Sequence, residues 1–543
     1  MGLTIASLAG INPYHFGQWN HYISLPWLKD LINPALYPGD VLIEQRQNSP
    51  TLYYYLLAAI APLFQNNFSI LFFVVYAFTL AATFFAIYYL ALSVFKSQRS
   101  AWLALLLLSF TFPVLGDVRI WDSMLMERSL ALPWLLISLA LMLRRRYVPA
   151  VLLQALAFNF HALSTFHIIL FSWSGMLLWQ GWKWHYLKFA AIFLAFVSPV
   201  LYLKLAHSSG DSLINFSHIW MEVMQIRNAH HIFISHESGF VILKSLAVIM
   251  AYFYLLKRYF QQHSTYRFFW GFGIAGVAML ATGIVFTEVM PVRLIIQLQF
   301  LRSFVFFTIA FFILWAGIVR STRSAGVGIL GLVVAAQYFY GQWPKAAVAI
   351  AVMVTAWYFL TYTPRHIAGG IKWPFKAKLS FLLVPLSIYV IGAVGGYYKN
   401  SGLELNYWEN NNAYANVGDW LKKNTSPGAL LIAPPQEAGL RLLSERSCYG
   451  EWYDGTKAFF SESYARHWHQ CMQKLRTPDP QSLKKDFRKN KEQDFRVLAD
   501  SLHRHHAQLY VIQYADTPLD LPRLYKNEKF AVYHLSKNLA MKP

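Results

Sequence analysis

Residues 10–50 read GINPYHFGQWNHYISLPWLKDLINPALYPGDVLIEQRQNSP and differ in kind from the sequence that follows them. Between residues 69 and 397 the chain is mostly apolar enough to sit in lipid. The 10–50 stretch instead contains the turn signals Asn12-Pro13, Asn33-Pro34 and Pro38-Gly39-Asp40. We therefore expect membrane helices to form a scaffold that holds this stretch over a cleft facing the lipid.

The composition is typical of a membrane protein. Of the 543 residues, 56% are hydrophobic and only 13% are charged, whereas soluble domains carry about 25% charged residues. The mean hydropathy is +0.35, and 47 Lys and Arg against 26 Asp and Glu give a net charge of +21. Much of this excess lies in short loops between apolar runs, where cations set topology. We expect no nucleic-acid partner; a basic surface facing anionic or pyrophosphate-linked lipid is the functional alternative.

Apolar runs suited to crossing a bilayer predict about twelve spans. They fall near residues 69–95, 101–116, 129–143, 148–164, 165–181, 188–206, 240–257, 268–287, 301–319, 325–341, 345–362 and 380–397. Residues 51–66 are apolar but shorter, which favours an interfacial helix. We therefore predict three domains: an outside-facing N-terminal loop with this helix (1–68), a transmembrane helical domain (69–397) and a C-terminal domain (398–543).

Basic loops set the predicted orientation. If the twelve runs alternate, one side receives the loops 96–99, 144–146, 183–188, 257–267, 320–323 and 365–378. Both chain ends then lie on the other side, so an extracytoplasmic tail is expected. A long outside N-terminus without a signal peptide has two explanations: a first helix lies upstream of residue 1, or residues 1–10 are its remnant.

The tail from residue 398 is polar and long enough for one small domain. Residues 412–425 have helical spacing, and buried strands are predicted at 429–434, 507–514 and 530–535. Helices that alternate with strands predict an α/β domain. The two cysteines, Cys448 and Cys471, could pair outside the cytoplasm, although their spacing alone does not show it.

Acidic residues of the outside loops are the candidate catalytic groups. A transferase needs one carboxylate as general base, and Asp40 with Asp117 or Asp122 forms the candidate pair. A metal-dependent enzyme needs at least two carboxylates as ligands, but no DxD motif occurs in these loops. We therefore predict no metal or other cofactor, and a divalent cation remains an unsupported alternative. Helix capping is the structural alternative for each acid.

Arginines and histidines are the candidate ligands of an anionic substrate. Arg227, Arg293 and Arg302 are predicted on or near the outside face, where a planar guanidinium suits phosphate and snorkelling to the membrane surface is the alternative. His230 and His231, with His236, could bind a metal, donate to phosphate or simply lie in a polar loop. No Walker A, GxSxG or HExxH sequence occurs, so an ATP-driven pump or a serine hydrolase is unsupported.

Three segments resemble the GT-C class of membrane glycosyltransferases, and more closely a group of bacterial multi-spanning proteins of that architecture that have no assigned activity. They are LINPALYPGDVLIEQ (31–45), RNAHHIFIS (227–235) and WLKKNTSPGALLIAPPQEAGLRLLSERSCYGEW (420–452). The resemblance implies a location in a bacterial inner membrane. It also implies transfer of a sugar from a polyprenyl-phosphate donor, with an acid of the first outside loop as the base. The matching position here reads GQWNHY (17–22) and has no acid. Either Asp40 is the base, or His21 substitutes, or the catalytic role is lost.

The sequence thus predicts an all-α polytopic membrane protein of GT-C-like architecture with a small C-terminal α/β domain. The predicted function is sugar transfer from a polyprenyl-phosphate donor to a cell-envelope glycan or lipid. Asp40 is the predicted base, Asp122 a second carboxylate, and Arg293 and Arg302 hold the donor phosphate. The main alternative is a non-catalytic subunit that binds or transports a lipid-linked glycan, and a secondary transporter is a third. Membrane lipid and a polyprenyl-phosphate-linked sugar are the expected partners.

Overall fold

The structure is a computed structural model that describes residues 4, 8, 14–109, 113–206, 211–322, 412–476, 487–502 and 508–535. The predicted spans 325–341, 345–362 and 380–397 lie outside these described residues. Up to residue 322 the helices are α1 (His21–Ile32), α2 (Val41–Glu44), α3 (Leu52–Ile60), α4 (Phe68–Phe95), α5 (Gln98–Leu108), α6 (Glu127–Leu143), α7 (Tyr147–Phe160), α8 (Ala162–Gln180), α9 (His185–Ala206), α10 (His218–Arg227), α11 (Ala229–Ile232), α12 (Gly239–Leu255), α13 (Tyr266–Ile284), α14 (Arg293–Leu298) and α15 (Phe304–Thr322).

Six apolar helical segments of the described ranges are long enough to cross a bilayer, so the chain is a multi-pass membrane protein. They are Phe68–Phe95, Ala162–Gln180, His185–Ala206, Gly239–Phe260, Tyr266–Val289 and Arg293–Val319. Three further predicted spans form the shorter helices α5, α6 and α7, of 11, 17 and 14 residues. A 14-residue helix rises only about 21 Å, less than the ~30 Å hydrocarbon core. The predicted number of about twelve spans is therefore not confirmed.

The apolar 51–66 segment forms α3 and continues as a 3-10 helix, Ala61–Phe64. Thr51 begins it, because its side chain accepts the backbone N–H of Tyr53 at 3.1 Å. Gln65 ends it in the left-handed conformation, with φ of 53°. The predicted helix is present, while its place at the membrane interface stays a prediction.

One compact unit of the chain comprises Met1–Tyr14, Phe72–Pro199 and His230–Glu404. Helices α8 and α13 pack closely within it because glycines leave room. A Cβ at Gly271 would lie 2.5 Å from the backbone oxygen of Ser174, and one at Gly175 would lie 2.8 Å from the backbone oxygen of Phe268. Small residues at such crossings are typical of membrane helix pairs, which gain their stability from close packing.

The second compact unit comprises His15–Leu71, Val200–Ala229 and Leu405–Pro543. Its tail contains α16 (Asn412–Asn424), α17 (Leu440–Ser444), α18 (Glu462–Lys474) and α19 (Glu492–Leu502). The strands of the chain are β1 (Pro113–Val114) and β2 (Val118–Arg119) in the first unit, and β3 (Leu430–Ile432), β4 (Ser447–Cys448), β5 (Leu509–Tyr514), β6 (Arg523–Lys526) and β7 (Phe530–Leu535) in the second.

The tail strands form one five-stranded sheet in the order β4-β3-β5-β7-β6. Strands β4, β3 and β5 are parallel, and β7 runs antiparallel to both β5 and β6. All six residues of β5 are buried, as expected for a central strand. The predicted small α/β region is confirmed, and its three predicted strands are β3, β5 and β7.

The described part of the 10–50 stretch packs against this tail. Lys29 on α1 donates from Nζ to Oε1 of Glu445 at 2.8 Å, directly after α17. Within the stretch, Trp27 Nε1 donates to the backbone oxygen of Leu42 at 3.0 Å. Helices α1 and α2 are thus joined to each other, and α1 is also joined to the tail.

Candidate functional site

A pocket in the first unit gathers basic and hydroxyl side chains from four parts of the chain. It encloses about 490 Å³ of empty space, counting the part that is open to solvent. Its polar lining comes from the 113–126 loop, the first turn of α6, the start of α8 and the turn before α15. These side chains are Arg119, Asp122, Arg128, Ser129, His161, Ser164, His167 and Arg302.

Asp122 and Arg128 form a two-point ion pair at the pocket wall. Arg128 Nε donates to Oδ2 of Asp122 at 2.8 Å, and Arg128 Nη2 donates to Oδ1. Ser129 Oγ donates to Oδ2 at 3.0 Å. The pair is local: Arg128 and Ser129 lie in the first turn of α6, and the intervening loop turns back on them. Because Arg128 donates one hydrogen bond to each oxygen of Asp122, the carboxylate is held in a fixed orientation.

Arg302 reaches the pocket from a break between two helices. Gln299 adopts the left-handed conformation, with φ of 45° and ψ of 52°, and ends α14. The side-chain oxygen of Gln299 accepts a hydrogen bond from Arg302 Nη1 at 2.5 Å. Within the described ranges, Arg302 forms no ion pair with a carboxylate. Its guanidinium therefore retains donors for an anionic ligand.

Gly116 fixes the 113–126 loop against this break. Its φ is +77°, and a Cβ there would lie 3.0 Å from the backbone nitrogen of Arg302 and 3.1 Å from the carbonyl carbon of Leu301. His231 Nδ1 donates to the backbone oxygen of Gly116 at 2.8 Å, and Glu237 Oε1 accepts the Gly116 N–H at 2.8 Å. Both contacts hold the loop on the backbone that presents Arg302.

The hydrogen bond that His231 donates to Gly116 places a proton on Nδ1. Burial, together with the positive charge of Arg302, lowers the pKa of His231 well below its usual value. Burial also raises the pKa of Glu237. His231 thus acts on the pocket through Gly116, and its predicted direct contact with substrate stays a prediction.

Two histidines of α8 complete the polar wall. His167 Nε2 donates to the backbone oxygen of Leu298 at 2.8 Å, which satisfies one of the carbonyls left open where α14 ends. His161 Nδ1 accepts the backbone N–H of Ser164 at 3.1 Å and caps α8. His161, His167, Arg128 and Ser129 were not among the predicted site residues. Histidines within an apolar run fit hydrogen bonding between helices, and Arg128 fits a pair with a nearby acid.

Asp40 lies in the other unit and is buried. Its Oδ1 accepts the backbone N–H groups of Leu42 at 3.0 Å and Ile43 at 3.4 Å, and caps α2. Its Oδ2 accepts Arg441 Nε at 2.7 Å and the Cys448 N–H at 3.0 Å. A base must reach the proton that it removes, and these four donors favour a structural role. The role of base predicted for Asp40 stays a prediction.

The remaining predicted residues do not line the pocket. In the first unit, Asp117 is exposed with φ of 46°, Arg293 is buried at the start of α14, and the ring of exposed His230 lies 4.0 Å from that of His231. In the second unit, His21 Nδ1 accepts the Gly17 N–H at 3.0 Å, and Arg227 lies against aromatic rings. Of the predicted set, the pocket brings together Asp122 and Arg302.

Metal ligands require several donors at one point in space. Within the ranges that the structure describes, no group of three or more His, Cys, Asp or Glu side chains could hold a metal ion. Asp122 is the one acid among the pocket-lining residues of that part of the chain. The pocket chemistry is therefore cationic, with a single ion-paired carboxylate.

No protein-family model matches the sequence, and neither does any curated protein. Solved structures resemble the chain at 12% identity. Crystal structures of ArnT from Cupriavidus metallidurans match in the apo state, with a TM-score of 0.46 over 98% of this chain and 95% of that one, and bound to undecaprenyl phosphate, with a TM-score of 0.48 over 100% and 98%. The cryo-EM structure of arabinofuranosyltransferase AftD from Mycobacteria matches with a TM-score of 0.46, over 99% of this chain and 39% of that one.

At 12% identity and TM-scores below 0.5, the likeness assigns no donor, acceptor or residue role to this chain.

Proposed function

We propose that this protein binds a polyprenyl-phosphate-linked sugar and transfers the sugar to a cell-envelope glycan or lipid. The observation that carries the proposal is the pocket of the first unit that is lined by Arg119, Arg128 and Arg302, hereafter the arginine pocket. Three guanidinium groups against the one carboxylate of Asp122 leave a net positive charge. A planar guanidinium binds phosphate with two parallel hydrogen bonds, so the pocket suits a phosphate headgroup.

An apolar pocket in the same unit supports a lipid ligand. Its wall includes Leu136, Leu139 and Leu143 on α6 and Phe306, Ile309, Ala310 and Ile313 on α15. Phe306 also lines the arginine pocket, and so do Leu132 and Leu135, which precede the α6 residues of the apolar pocket. A phosphate head and a hydrocarbon tail would thus meet polar and apolar surfaces in succession along α6 and α15.

In the proposed transfer, an acceptor hydroxyl attacks the anomeric carbon with inversion. The bond between that carbon and the phosphate oxygen breaks, and the phosphate leaves with the electron pair. The Asp122 carboxylate offers about four acceptor positions and accepts three hydrogen bonds from Arg128 and Ser129. Asp122 takes the hydroxyl proton at the remaining position. Arg302 stabilises the charge that develops on the departing phosphate.

One observation favours the second candidate, a non-catalytic subunit that binds or transports a lipid-linked glycan. Both oxygens of Asp122 already face Arg128, and no other acid lines this pocket in the described part of the chain. A carboxylate held in this way would orient Arg128 toward a phosphate without accepting a proton.

Separate assays of binding and transfer decide between the two candidates. The purified protein is reconstituted in vesicles with labelled polyprenyl-phosphate sugars and envelope acceptors. We expect Arg302→Gln to lose binding and transfer, and Asp122→Asn to lose transfer while binding persists. The matched control is Asp419→Asn, an exposed acid on α16. Transfer that persists in Asp122→Asn removes the proposed base, and binding that persists in Arg302→Gln removes the proposed phosphate site.

A further inference from the structure

Arg227, the last residue of α10, lies against two aromatic side chains of the second unit. Its guanidinium carbon is 4.8 Å from the ring centroid of Trp452 and 5.8 Å from that of Tyr453. Both rings belong to the 3-10 helix Trp452–Phe460. Gly455 makes room for the side chain, because a Cβ there would lie 2.9 Å from Cγ of Arg227. The guanidinium therefore lies over two aromatic rings, and no carboxylate of the described residues forms an ion pair with it.

The charge of Arg227 has no counter-ion in the described part of the chain. Its Nε is buried and makes no hydrogen bond. The nearby acid Asp454 is taken by Arg441, at 2.9 and 2.8 Å. Burial lowers the pKa of Arg227 to about 10. A desolvated cation without a partner costs stability, and an anion at its outer nitrogens would offset that cost.

Two further cations lie over rings beside the same 3-10 helix. Lys457 Nζ is 4.4 Å from the ring centroid of Trp27, and Lys204 Nζ is 5.3 Å from that of Phe460. Together with Arg227 they place three cations around this helix, in addition to the acids that contact Arg441. Cations at a surface attract anionic ligands.

We propose that Arg227, held by Trp452 and Tyr453, is a binding subsite for an oxyanion group, either phosphate or carboxylate, carried by a soluble or headgroup ligand. The two rings and Gly455 confine the Arg227 side chain, so little side-chain entropy is lost when its outer nitrogens bind two oxygens. The subsite belongs to the second compact unit, whereas the Arg302 pocket belongs to the first. It goes beyond the proposed sugar transfer, and its existence does not depend on that reaction.

The test measures the melting temperature of the full-length protein in detergent against the concentration of four probes. These are glucose 6-phosphate, glucuronate, inorganic phosphate and neutral glucose. A ligand that binds only the folded state raises the melting temperature. We expect the oxyanion probes to do so and glucose to have no effect. A response to glucose 6-phosphate and inorganic phosphate alone assigns the subsite to phosphate, and a response to glucuronate alone assigns it to carboxylate.

Arg227→Gln should weaken probe binding at least about tenfold, the usual effect of losing a charge-assisted pair. Arg227→Lys keeps the charge but not the two-point geometry, and should bind with intermediate affinity even if the glutamine variant folds poorly. The matched control is Arg466→Gln, an exposed arginine on α18, which should bind like the wild type. The proposal is overturned if no probe stabilises the wild type, if Arg227→Gln binds as well as Arg466→Gln, or if Arg302→Gln alone loses the binding.

Discussion

Arg441 and Asp40 are 401 positions apart in the sequence and form a buried ion pair, with Arg441 Nε 2.7 Å from Asp40 Oδ2. The other two guanidinium nitrogens of Arg441 donate to Asp454, at 2.9 and 2.8 Å. The carboxylate of Glu451 lies 3.5 Å from the same guanidinium. One cation thus holds the capped end of α2 against the tail and neutralises part of a group of three acids.

Arg441→Met should be strongly destabilising. It leaves Asp40 and Asp454 buried without their cation, and breaking a buried pair in this way typically costs about 3–5 kcal/mol. Asp40→Asn should cost less, because the amide oxygen still accepts the Leu42 N–H and caps α2. Thermal unfolding of the purified variants measures which substitution costs more stability. Arg466→Met, at an exposed arginine, is the control. If Asp40→Asn melts like the wild type but no longer transfers sugar, then Asp40 and not Asp122 is the general base.

The stability of the second unit should fall as the pH rises through neutrality. Burial raises the pKa of Glu451 from 4.5 to about 7. Because the folded state holds this proton more tightly than the unfolded chain, the stabilisation is complete below about pH 4.5 and is lost as the pH rises through about 7. Glu451→Gln should flatten that decline between about pH 5 and pH 8, while the exposed Glu528→Gln keeps the wild-type slope. Equal slopes in all three proteins would rule out Glu451 as the titrating group.

Gly116→Ala should disturb the arginine pocket from outside it. The new Cβ would strain a backbone at φ of +77° and press on the backbone of Arg302. The expected result is a loss of about 1–3 kcal/mol of stability together with weaker binding of polyprenyl phosphate. Gly181→Ala is a matched control, since Gly181 also has a positive φ, of +71°, but nothing within 4 Å of its Cβ position. Unchanged lipid binding in Gly116→Ala would show that the loop does not position Arg302.

Ala310→Phe should distinguish long lipid chains from short ones. Ala310 is buried and lines the apolar pocket next to the arginine pocket. A phenyl ring there would fill space that the proposed hydrocarbon tail needs. We expect weaker binding of long polyprenyl phosphates and unchanged binding of a short isoprenyl phosphate. Ala281→Phe, at an exposed position of α13, should leave both affinities unchanged. Equal losses for the long and short lipids would place the tail elsewhere.

Much of the local structure followed from sequence pattern. Apolar length identified Phe68–Phe95 and Ala162–Gln180 as spans, and short apolar runs identified β3, β5 and β7. These features depend on neighbours in sequence, so periodicity reports them well. The helices α5 and α7 were expected to be longer, because hydropathy alone does not mark where Ser109 or His161 ends a helix.

The contacts between distant residues could not be predicted from the sequence pattern. Asp40 lies in a turn-rich loop, where the sequence fits a helix cap and a general base equally well. Its contact with Arg441, which the sequence does not reveal, favours the structural role. Arg302 was identified by residue type, but its break in the helix depends on a left-handed Gln299, a conformation that few non-glycine residues adopt. Side chains that meet across hundreds of residues leave no local period in the sequence.

The ion pair between Asp40 and Arg441 cannot form until the ribosome has synthesised the chain as far as Arg441. Ribosomes add about 5–20 residues per second, so Asp40 emerges about 20–80 s before the arginine that neutralises it, given their separation of 401 residues. Over that interval the acidic turn and its helix lack their final partner. A nascent chain stalled before residue 441 should therefore expose its N-terminal segment to proteases that the completed chain resists.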